Sequence, residues 1–359
     1  MGKKVVVAMS GGVDSSVAAY LLQKQGYDVI GVTMQVWPKE NCSADTREKG
    51  CCGLSAVNDA RAVAEKLNIP YYVVNFRDVF KKKVIDYFCY EYSQGKTPNP
   101  CLKCNQYIKF DALLHKAFQL GAEYIATGHH ARIEFNKSST RYLLKRSEDD
   151  KKDQTYFLYT MTQDQLAHTL MPIGDITKTK VREIAKEIGL NVANKKESQE
   201  ICFVIDDNYR NFLLQKDEQN VKHGNIVDIN GKLIGKHKGI MFYTIGQRKG
   251  MGIGAKHPLY VRSIDKQTNT IVAAEKKELY SKELFASELN IIKSIGEKES
   301  FKADIKIRYG ETSSKGEVIV LNKEDIKVVF EAPVLAVTPG QSVVFYDGNY
   351  VIGGAIIQR

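Results

Sequence analysis

The chain has 359 residues, 43% of them hydrophobic and 26% charged, which is too long for one typical core and predicts two or three soluble domains. No stretch approaches the roughly 20 apolar residues of a membrane span, and no signal segment is visible, so we expect a cytoplasmic protein without membrane contact. The net charge of +10 favours a polyanionic partner, and seven cysteines in such a chain indicate catalysis, metal binding or redox chemistry rather than a disulfide framework.

The first 200 or so residues alternate predicted strands and helices. Strands are predicted over 3–9, 27–34, 70–76 and 124–127, and helices over 17–25, 57–67, 109–120 and 179–188. This alternation is typical of an α/β fold with a doubly wound parallel sheet, whose ligand crevice lies at the carboxyl ends of the strands.

The sequence SGGVDSS at residues 10–16 separates the first strand from the first helix. Its two glycines permit a sharp turn and close backbone approach to a ligand, and a helix N-terminus favours an anion. The loop lacks the lysine of the P-loop and the spacing of the dinucleotide fingerprint. It resembles instead the pyrophosphate loop of ATP-pyrophosphatase-type enzymes, which split ATP between the α and β phosphates.

A second informative segment is PNPCLKCN at residues 98–105. Two prolines fix a rigid turn, and we expect Cys101 and Cys104 at or just before the start of the following helix. A helix N-terminus lowers the pKa of a thiol and raises its nucleophilicity. Cys202 follows the predicted helix over 179–188, and the fold could bring it to the same place.

Several explanations of the cysteines compete with catalysis. A structural zinc site would use Cys101 and Cys104 and need further ligands, for which the candidates are Cys42, Cys51 and Cys52. Inert burial is the preferred interpretation of Cys89. A thioredoxin-like redox pair fits poorly beside an ATP loop, and sulfur transfer through a persulfide is the favoured function.

The pattern changes after about residue 205. Residues 145–153 before that point are predicted to form a charged loop. Residues 224–275 are rich in glycine, lysine and short β-like runs. Short alternating strands then follow over 303–309, 316–321, 326–330 and 342–346, which predicts a small β-barrel or sandwich.

Further short motifs occur in order along the chain: ATGH at 126–129, KDQ at 152–154, EICF at 200–203, GQR at 246–248 and PGQ at 339–341. With the two segments above, they resemble the tRNA-specific 2-thiouridylase family. The resemblance implies an adenine nucleotide α-hydrolase-like domain over 1–204, a small central tRNA-contacting domain over 205–276 and a C-terminal β-barrel over 277–359. It also implies that ATP adenylates the 2-carbonyl oxygen of the wobble uridine in tRNA, and that persulfide sulfur then displaces AMP.

The resemblance assigns roles to individual residues. Cys202 matches the persulfide-bearing cysteine and Cys104 the partner nucleophile, and the two can pair as a disulfide when sulfur leaves. The ATP contacts it implies are Ala8, Met9, Ser10, Gly11, Gly12, Val13, Asp14, Ser15, Met34 and Gly128. The contacts to the target base and the rest of the tRNA are Asn99, Pro100, Cys101, His129, Lys152, Asp153, Gln154, Arg308, Tyr309 and Gln341. Mg²⁺ is inferred from the charge of the triphosphate, and the expected sulfur donor is a cysteine desulfurase or a sulfur-relay protein.

One position departs from the family pattern. Cys101 stands where many members have an aspartate proposed as acid or base, and a thiol and a carboxyl differ widely in pKa. Proton transfer then falls to the Cys101 thiolate, a water or a phosphate. The third thiol also leaves open an iron–sulfur cluster held by Cys101, Cys104 and Cys202, with one iron available for sulfide.

Two other functions share the ATP loop. A small-molecule ligase would need neither Cys104 nor Cys202 and would ignore tRNA. An RNA-binding protein with a vestigial ATP site is disfavoured by the intact loop at residues 10–16.

Overall fold

The computed structural model describes residues 2–37, 54–195, 201–204, 208–217, 221–296 and 299–359. The strands are β1 Lys4–Ala8, β2 Asp28–Gln35, β3 Tyr71–Asn75, β4 Tyr124–Ala126, β5 Ala131–Asn136, β6 Arg141–Arg146, β7 Thr169–Leu170, β8 Gly224–Val227, β9 Leu233–His237, β10 Tyr260–Asp265, β11 Thr270–Ala274, β12 Tyr280–Ile291, β13 Ser300–Lys306, β14 Ser314–Val320, β15 Ile326–Leu335, β16 Ser342–Asp347 and β17 Tyr350–Ile357. The helices are α1 Val13–Lys24, α2 Leu54–Leu67, α3 Arg77–Phe80, α4 Asp86–Ser93, α5 Pro100–Cys104, α6 Leu113–Gln119, α7 Gln163–Ala167, α8 Lys178–Glu187 and α9 Tyr209–Asp217. The candidate zinc ligands Cys42, Cys51 and Cys52 lie outside the described residues.

A five-stranded parallel sheet forms the N-terminal unit, in the order β3-β2-β1-β4-β7. The central strand β1 carries three fully buried valines, Val5, Val6 and Val7, because a parallel sheet with helices on both faces buries both sides of its strands. The doubly wound α/β fold is therefore confirmed. Among the described helices, none is long and apolar enough to cross a membrane.

Two π-helical segments interrupt the helices around the predicted thiol segment. Lys81–Ile85 joins α3 to α4, and Asn105–Ala112 joins α5 to α6. Helical structure thus runs from Pro100 to Gln119 and begins well before the predicted start at residue 109. π-Helical segments inside α-helices occur frequently at functional sites.

An antiparallel hairpin of β5 and β6 was not predicted from the sequence. The expected charged loop at residues 145–153 is wrong at its start, because Lys145 and Arg146 belong to β6. Leu143 and Leu144 on the same strand are buried, and this burial outweighs the charge of the flanking residues. Tyr350 of β17 pairs with Lys145, which joins the hairpin to the C-terminal sheet.

The C-terminal strands close into a barrel. The order is β12-β15-β14-β13-β16-β17, and β12 also pairs with β17. The barrel alternative of the sequence prediction is therefore correct. Between the two units lies a four-stranded sheet in the order β10-β11-β8-β9.

Candidate active site

The strand order reverses between β1 and β4, and the loops that follow these strands meet there. A Cβ atom added at Gly128, after β4, would lie 2.5 Å from the amide nitrogen of Ser15 and 2.6 Å from the carbonyl carbon of Asp14. Only glycine permits this approach of two backbones. The crevice at such a reversal is where open α/β sheets bind ligands.

The loop at residues 10–16 has the form of a phosphate cradle. Gly11 has φ +67°, and an added Cβ there would overlap the carbonyl oxygen of Ala56 in α2. Gly12 is the N-cap of α1 and supplies no side-chain cap, so the first amides of the helix are available to an anion. The hydroxyls of Ser15 and Ser16 both donate to the Gly12 carbonyl, at 3.2 and 2.8 Å, and hold the turn closed.

The other predicted nucleotide contacts surround this loop. Ala8 and Met9 are buried at the carboxyl end of β1, Val13 is buried at the first turn of α1, and Met34 is half-buried in β2. Ser10 is exposed, and its amide donates to the Ser15 hydroxyl at 3.2 Å. The structure thus brings the predicted ATP residues to one end of the sheet.

Asp14 forms an ion-paired cluster with two groups from distant parts of the chain. The ammonium of Lys178, at the start of α8, lies 2.7 Å from both Asp14 oxygens, and His130 Nε2 lies 3.4 Å from Oδ1. Burial raises the pKa of the Asp14 carboxyl, but hydrogen bonds from His130 and Lys178 outweigh it and hold that pKa below its usual value. Asp14 therefore remains an anion and keeps the Lys178 cation at the phosphate cradle.

The two histidines after β4 are buried and differ in their environment. Burial, reinforced by Lys109 and His130, lowers the pKa of His129 well below the usual range, so its ring is neutral at physiological pH. Its Nδ1 lies 2.7 Å from the Thr127 hydroxyl. His130 has a buried Nδ1 without a hydrogen-bond partner among the described residues, which leaves it available to a ligand.

The predicted tRNA residues at 152–154 face in different directions. Gln154 makes two hydrogen bonds to the backbone of His130. Its side-chain oxygen accepts from the His130 backbone amide, and its backbone amide donates to the His130 carbonyl, both at 2.9 Å. Asp153 is buried and accepts hydrogen bonds from the Thr155 hydroxyl and from the Ser147 amide. Lys152 is half-buried beside them.

The thiol segment is built around an asparagine cap. The side-chain oxygen of Asn99 accepts from the amides of Cys101 and Leu102, at 3.1 and 3.4 Å, and Pro100 occupies the first helical position. Cys101 is exposed in the first turn of α5, close to the helix start that was expected for it. Cys104, however, is the last residue of α5 rather than its start, so the helix N-terminus, whose effect fades within one turn, acts chiefly on Cys101.

Cys202 is half-buried and packs against the same hydrophobic cluster as Cys104. Its neighbour Phe203 makes edge-on ring contacts with Phe80 at 5.9 Å and Phe88 at 5.2 Å, on α3 and α4. The π-helical segment between these two helices contacts α5. Both cysteines therefore lie around the same helical segment, although 98 residues separate them in sequence.

The three predicted tRNA residues of the barrel lie near this segment and engage protein groups. Arg308 donates to Thr338 Oγ1 at 3.1 Å and pairs with Glu311. Tyr309 is exposed at one edge, and its ring lies 4.4 Å from that of Phe157. The side-chain amide of Gln341 donates to the Thr97 carbonyl at 2.7 Å.

Within the part of the chain that the structure describes, no group of three or more His, Cys, Asp or Glu side chains is arranged to hold a metal ion. The iron–sulfur alternative with Cys101, Cys104 and Cys202 stays a prediction. Asp14, in the first turn of α1, places a carboxylate at the phosphate cradle.

Sequence reasoning missed Lys178 and Lys195. Lys195 Nζ donates to the Gly11 carbonyl at 3.0 Å and pairs with Asp59 of α2. Lys178 begins α8 and Lys195 lies beyond its end, neither belongs to a sequence motif, and their convergence depends on the sheet topology. The pair of adjacent histidines was visible, but only the first matched a family motif.

Known proteins match the chain from end to end. Family profiles described as the tRNA methyl transferase HUP domain, the tRNA methyl transferase PRC-barrel domain and the aminomethyltransferase beta-barrel domain match residues 3–206, 210–275 and 281–357. A protein named tRNA-specific 2-thiouridylase MnmA from Clostridium acetobutylicum is 56% identical over 358 residues, which is 100% of both chains. The protein of the same name from Clostridioides difficile is 54% identical over 359 residues, covering 100% of this chain and 99% of the other.

The profile descriptions refer to methyl transfer, whereas these full-length relatives carry the thiouridylase name. Because the relatives match over the whole chain at more than half identity, their name is the more specific finding. Among solved structures, a 4-thiouridine synthetase–RNA complex with bound ATP covers 60% of this chain and 50% of that chain at 19% identity, with a TM-score of 0.35. A score this low carries no argument about the site.

Proposed function

The chain belongs to the tRNA-specific 2-thiouridylase family, and we propose that it converts a wobble uridine of tRNA to 2-thiouridine, with ATP split to AMP and pyrophosphate. The observation that carries this conclusion is the full-length identity of 56% to a protein of that name. The phosphate cradle and the cysteine segment support it from the structure, since activation requires the first and sulfur transfer the second.

In the first step, the uridine 2-carbonyl oxygen attacks the α-phosphorus of ATP and pyrophosphate leaves. Backbone amides at the start of α1 bind the triphosphate oxygens. Lys178 supplies a cation, held there by Asp14 at 2.7 Å. The step makes AMP a leaving group in place of oxide, which does not leave unaided.

Mg²⁺ fits this step in one respect. Nucleotide-bound Mg²⁺ is held by phosphates and by one or two carboxylates, and Asp14 provides a carboxylate at the cradle. The ion would neutralise phosphate charge when bound. Asp14 and Lys178 keep their roles in orienting the loop and countering the charge of the leaving pyrophosphate.

In the second step, the terminal sulfur of a Cys202 persulfide attacks C2 of the activated base, and AMP leaves with the former carbonyl oxygen. The Cys104 thiolate then attacks the Cys202 sulfur, which breaks the S–S bond to the transferred atom and forms a Cys104–Cys202 disulfide. A thiol reductant must then open the disulfide, after which a sulfur donor of the cysteine desulfurase or sulfur-relay class transfers a new persulfide sulfur to Cys202.

Cys101 is proposed to act as the acid or base of the reaction. It is exposed in the first turn of α5, where the helix N-terminus favours a thiolate. The target base lies beside Asn99 and Pro100 in this proposal. The base must leave the anticodon stack before the persulfide sulfur can reach its C2 atom. We also propose that the chain divides into domains near residues 204 and 276, which is supported by the three sheets and the three matched segments.

Mass spectrometry of tRNA nucleosides tests the reaction. Unmodified tRNA is incubated with the protein, ATP, a cysteine desulfurase with cysteine, and a thiol reductant, and we expect 2-thiouridine and a matching amount of AMP. Product formed without ATP, or AMP formed without product in the wild-type protein, would contradict the proposal. Iron analysis of protein purified without oxygen distinguishes the persulfide route from the cluster alternative, since activity proportional to iron content supports only the latter.

A further inference from the structure

The segment that carries Cys101 and Cys104 is attached to the C-terminal barrel at both ends. The first attachment is Thr97, just before the Pro98 turn. Its amide donates to the Pro339 carbonyl at 2.9 Å, and its carbonyl accepts from the Gln341 side chain at 2.7 Å. A Cβ added at Gly340 would lie 3.0 Å from the Thr97 backbone, so barrel loop and thiol segment fit closely.

The second attachment is Lys103, which lies between the two cysteines. Its side chain is only 5% exposed, and its ammonium lies 3.0 Å from a carboxylate oxygen of Glu288 in β12. The rings of Tyr87 and Tyr107 lie 5.0 and 5.8 Å from the same ammonium. A buried cation needs such partners, because burial without them is costly.

The backbone of the barrel is distorted where it supplies this carboxylate. Glu288 has φ +58°, and the register of β12 against β17 shifts between Ser287 and Asn290. A glutamate in the left-handed region is uncommon and is held there by its surroundings. Asn290 donates to the Tyr159 and Met161 carbonyls of the N-terminal unit, so the irregular part of β12 is directed at that unit.

We propose that Glu288 and Gln341 of the barrel are positioning residues for sulfur transfer, which fix the segment 97–104 from both ends and so set the position of Cys104. The proposal rests on the function assigned above to Cys104. It makes the sulfur-transfer step, but not the chemistry at the phosphate cradle, dependent on the barrel. An error of about 1 Å in the position of a reacting group can cost roughly 100-fold in rate.

Glu288→Ala is the variant that tests this role. We expect the turnover rate of tRNA thiolation to fall about tenfold or more, with a KM for tRNA within about twofold of wild type. The alkylation rate of Cys104, measured by peptide mass spectrometry, should change in the same variant. Glu288→Gln keeps an oxygen acceptor for Lys103 and should restore most of the turnover rate.

Glu283→Ala is the matched control. Glu283 lies on the same strand and pairs with Lys327 at 2.7 Å, within the barrel, so its loss removes a charge without touching the thiol segment. Wild-type turnover and Cys104 alkylation in Glu288→Ala would overturn the proposal, as would an equal loss of turnover in Glu283→Ala. If Glu288→Ala is recovered unfolded, Gln341→Ala is measured by the same readouts, and a change in KM alone overturns positioning in favour of direct tRNA contact.

The proposed function fails on a different result. Thiolation by Cys104→Ala at the wild-type rate would remove Cys104 from the reaction, whereas Cys104 alkylation in the Glu288 variants still reports on the attachment itself.

Discussion

Lys178→Met removes the cation at the phosphate cradle while keeping a side chain of similar length. The Lys178 side chain is 9% exposed and lies 2.7 Å from both oxygens of Asp14, which is 28% exposed. Removing one partner of a wholly buried pair costs about 3–5 kcal/mol, but water reaches Asp14, so we expect the free energy of unfolding to fall by only about 1–3 kcal/mol. AMP formation should fall about 100- to 1000-fold, as for loss of a group that stabilises transition-state charge.

The assay measures AMP release with saturating tRNA and ATP, together with unfolding in urea. Lys180→Met is the matched control, because Lys180 lies on the same helix, is 51% exposed and pairs with Glu183 at 3.1 Å. We expect it to change stability by less than about 0.5 kcal/mol and to leave AMP release unchanged. A folded Lys178→Met protein that releases AMP within about threefold of the wild-type rate would refute the role of Lys178.

Three further substitutions test the site. Gly128→Ala should weaken ATP binding about tenfold or more, because its Cβ would press on the backbone of Asp14 and Ser15. Gly254→Ala is the control and should bind ATP like the wild type, because a Cβ there meets nothing within 4 Å. Equal ATP affinities of the two variants by calorimetry would contradict this expectation. The lowered pKa of His129 means that the unfolded chain takes up a proton below about pH 6.5 that the folded protein excludes. The free energy of unfolding, measured in urea, should then fall by up to about 1.4 kcal/mol per pH unit as the pH drops from 6.5, and less steeply in His129→Asn. If the two proteins lost stability equally steeply with falling pH, the lowered pKa of His129 would be contradicted. Asn99→Ala should cost about 1 kcal/mol of stability and change Cys101 alkylation, whereas Asn99→Ser retains a capping oxygen; identical behaviour of the two variants would exclude the cap.

Four of the five strands of the parallel sheet could be predicted because each is a short apolar run next to a helical pattern, whereas β7, with only two residues, could not. Valines at positions 5–7 and the glycines after them are local signals that tertiary contacts reinforce. The hairpin of β5 and β6 could not be predicted, because its strands carry several charges and gain their stability from pairing with each other and with β17. Local patterns do not show pairing over 200 residues of sequence.

The candidate site likewise has parts that could be predicted from the sequence and parts that could not. The loop at 10–16 and the thiol segment are continuous in sequence, so their residue types could be interpreted directly. Lys178, and the attachment of Lys103 to Glu288, join residues 164 and 185 positions apart. The RNA contact that the motif suggests for Gln341 stays a prediction, and its hydrogen bond to Thr97, 244 positions away, could not be predicted from the motif.

Activation at the phosphate cradle and sulfur transfer at the cysteines are separate steps, and Cys202→Ser tests this separation most directly. With tRNA, ATP, a cysteine desulfurase, cysteine and a thiol reductant present, AMP formation and 2-thiouridine are quantified in the same reaction. We predict that the variant still forms adenylated tRNA or AMP but no 2-thiouridine, since the phosphate cradle is intact and the persulfide carrier is absent. Formation of 2-thiouridine by Cys202→Ser would contradict the separation.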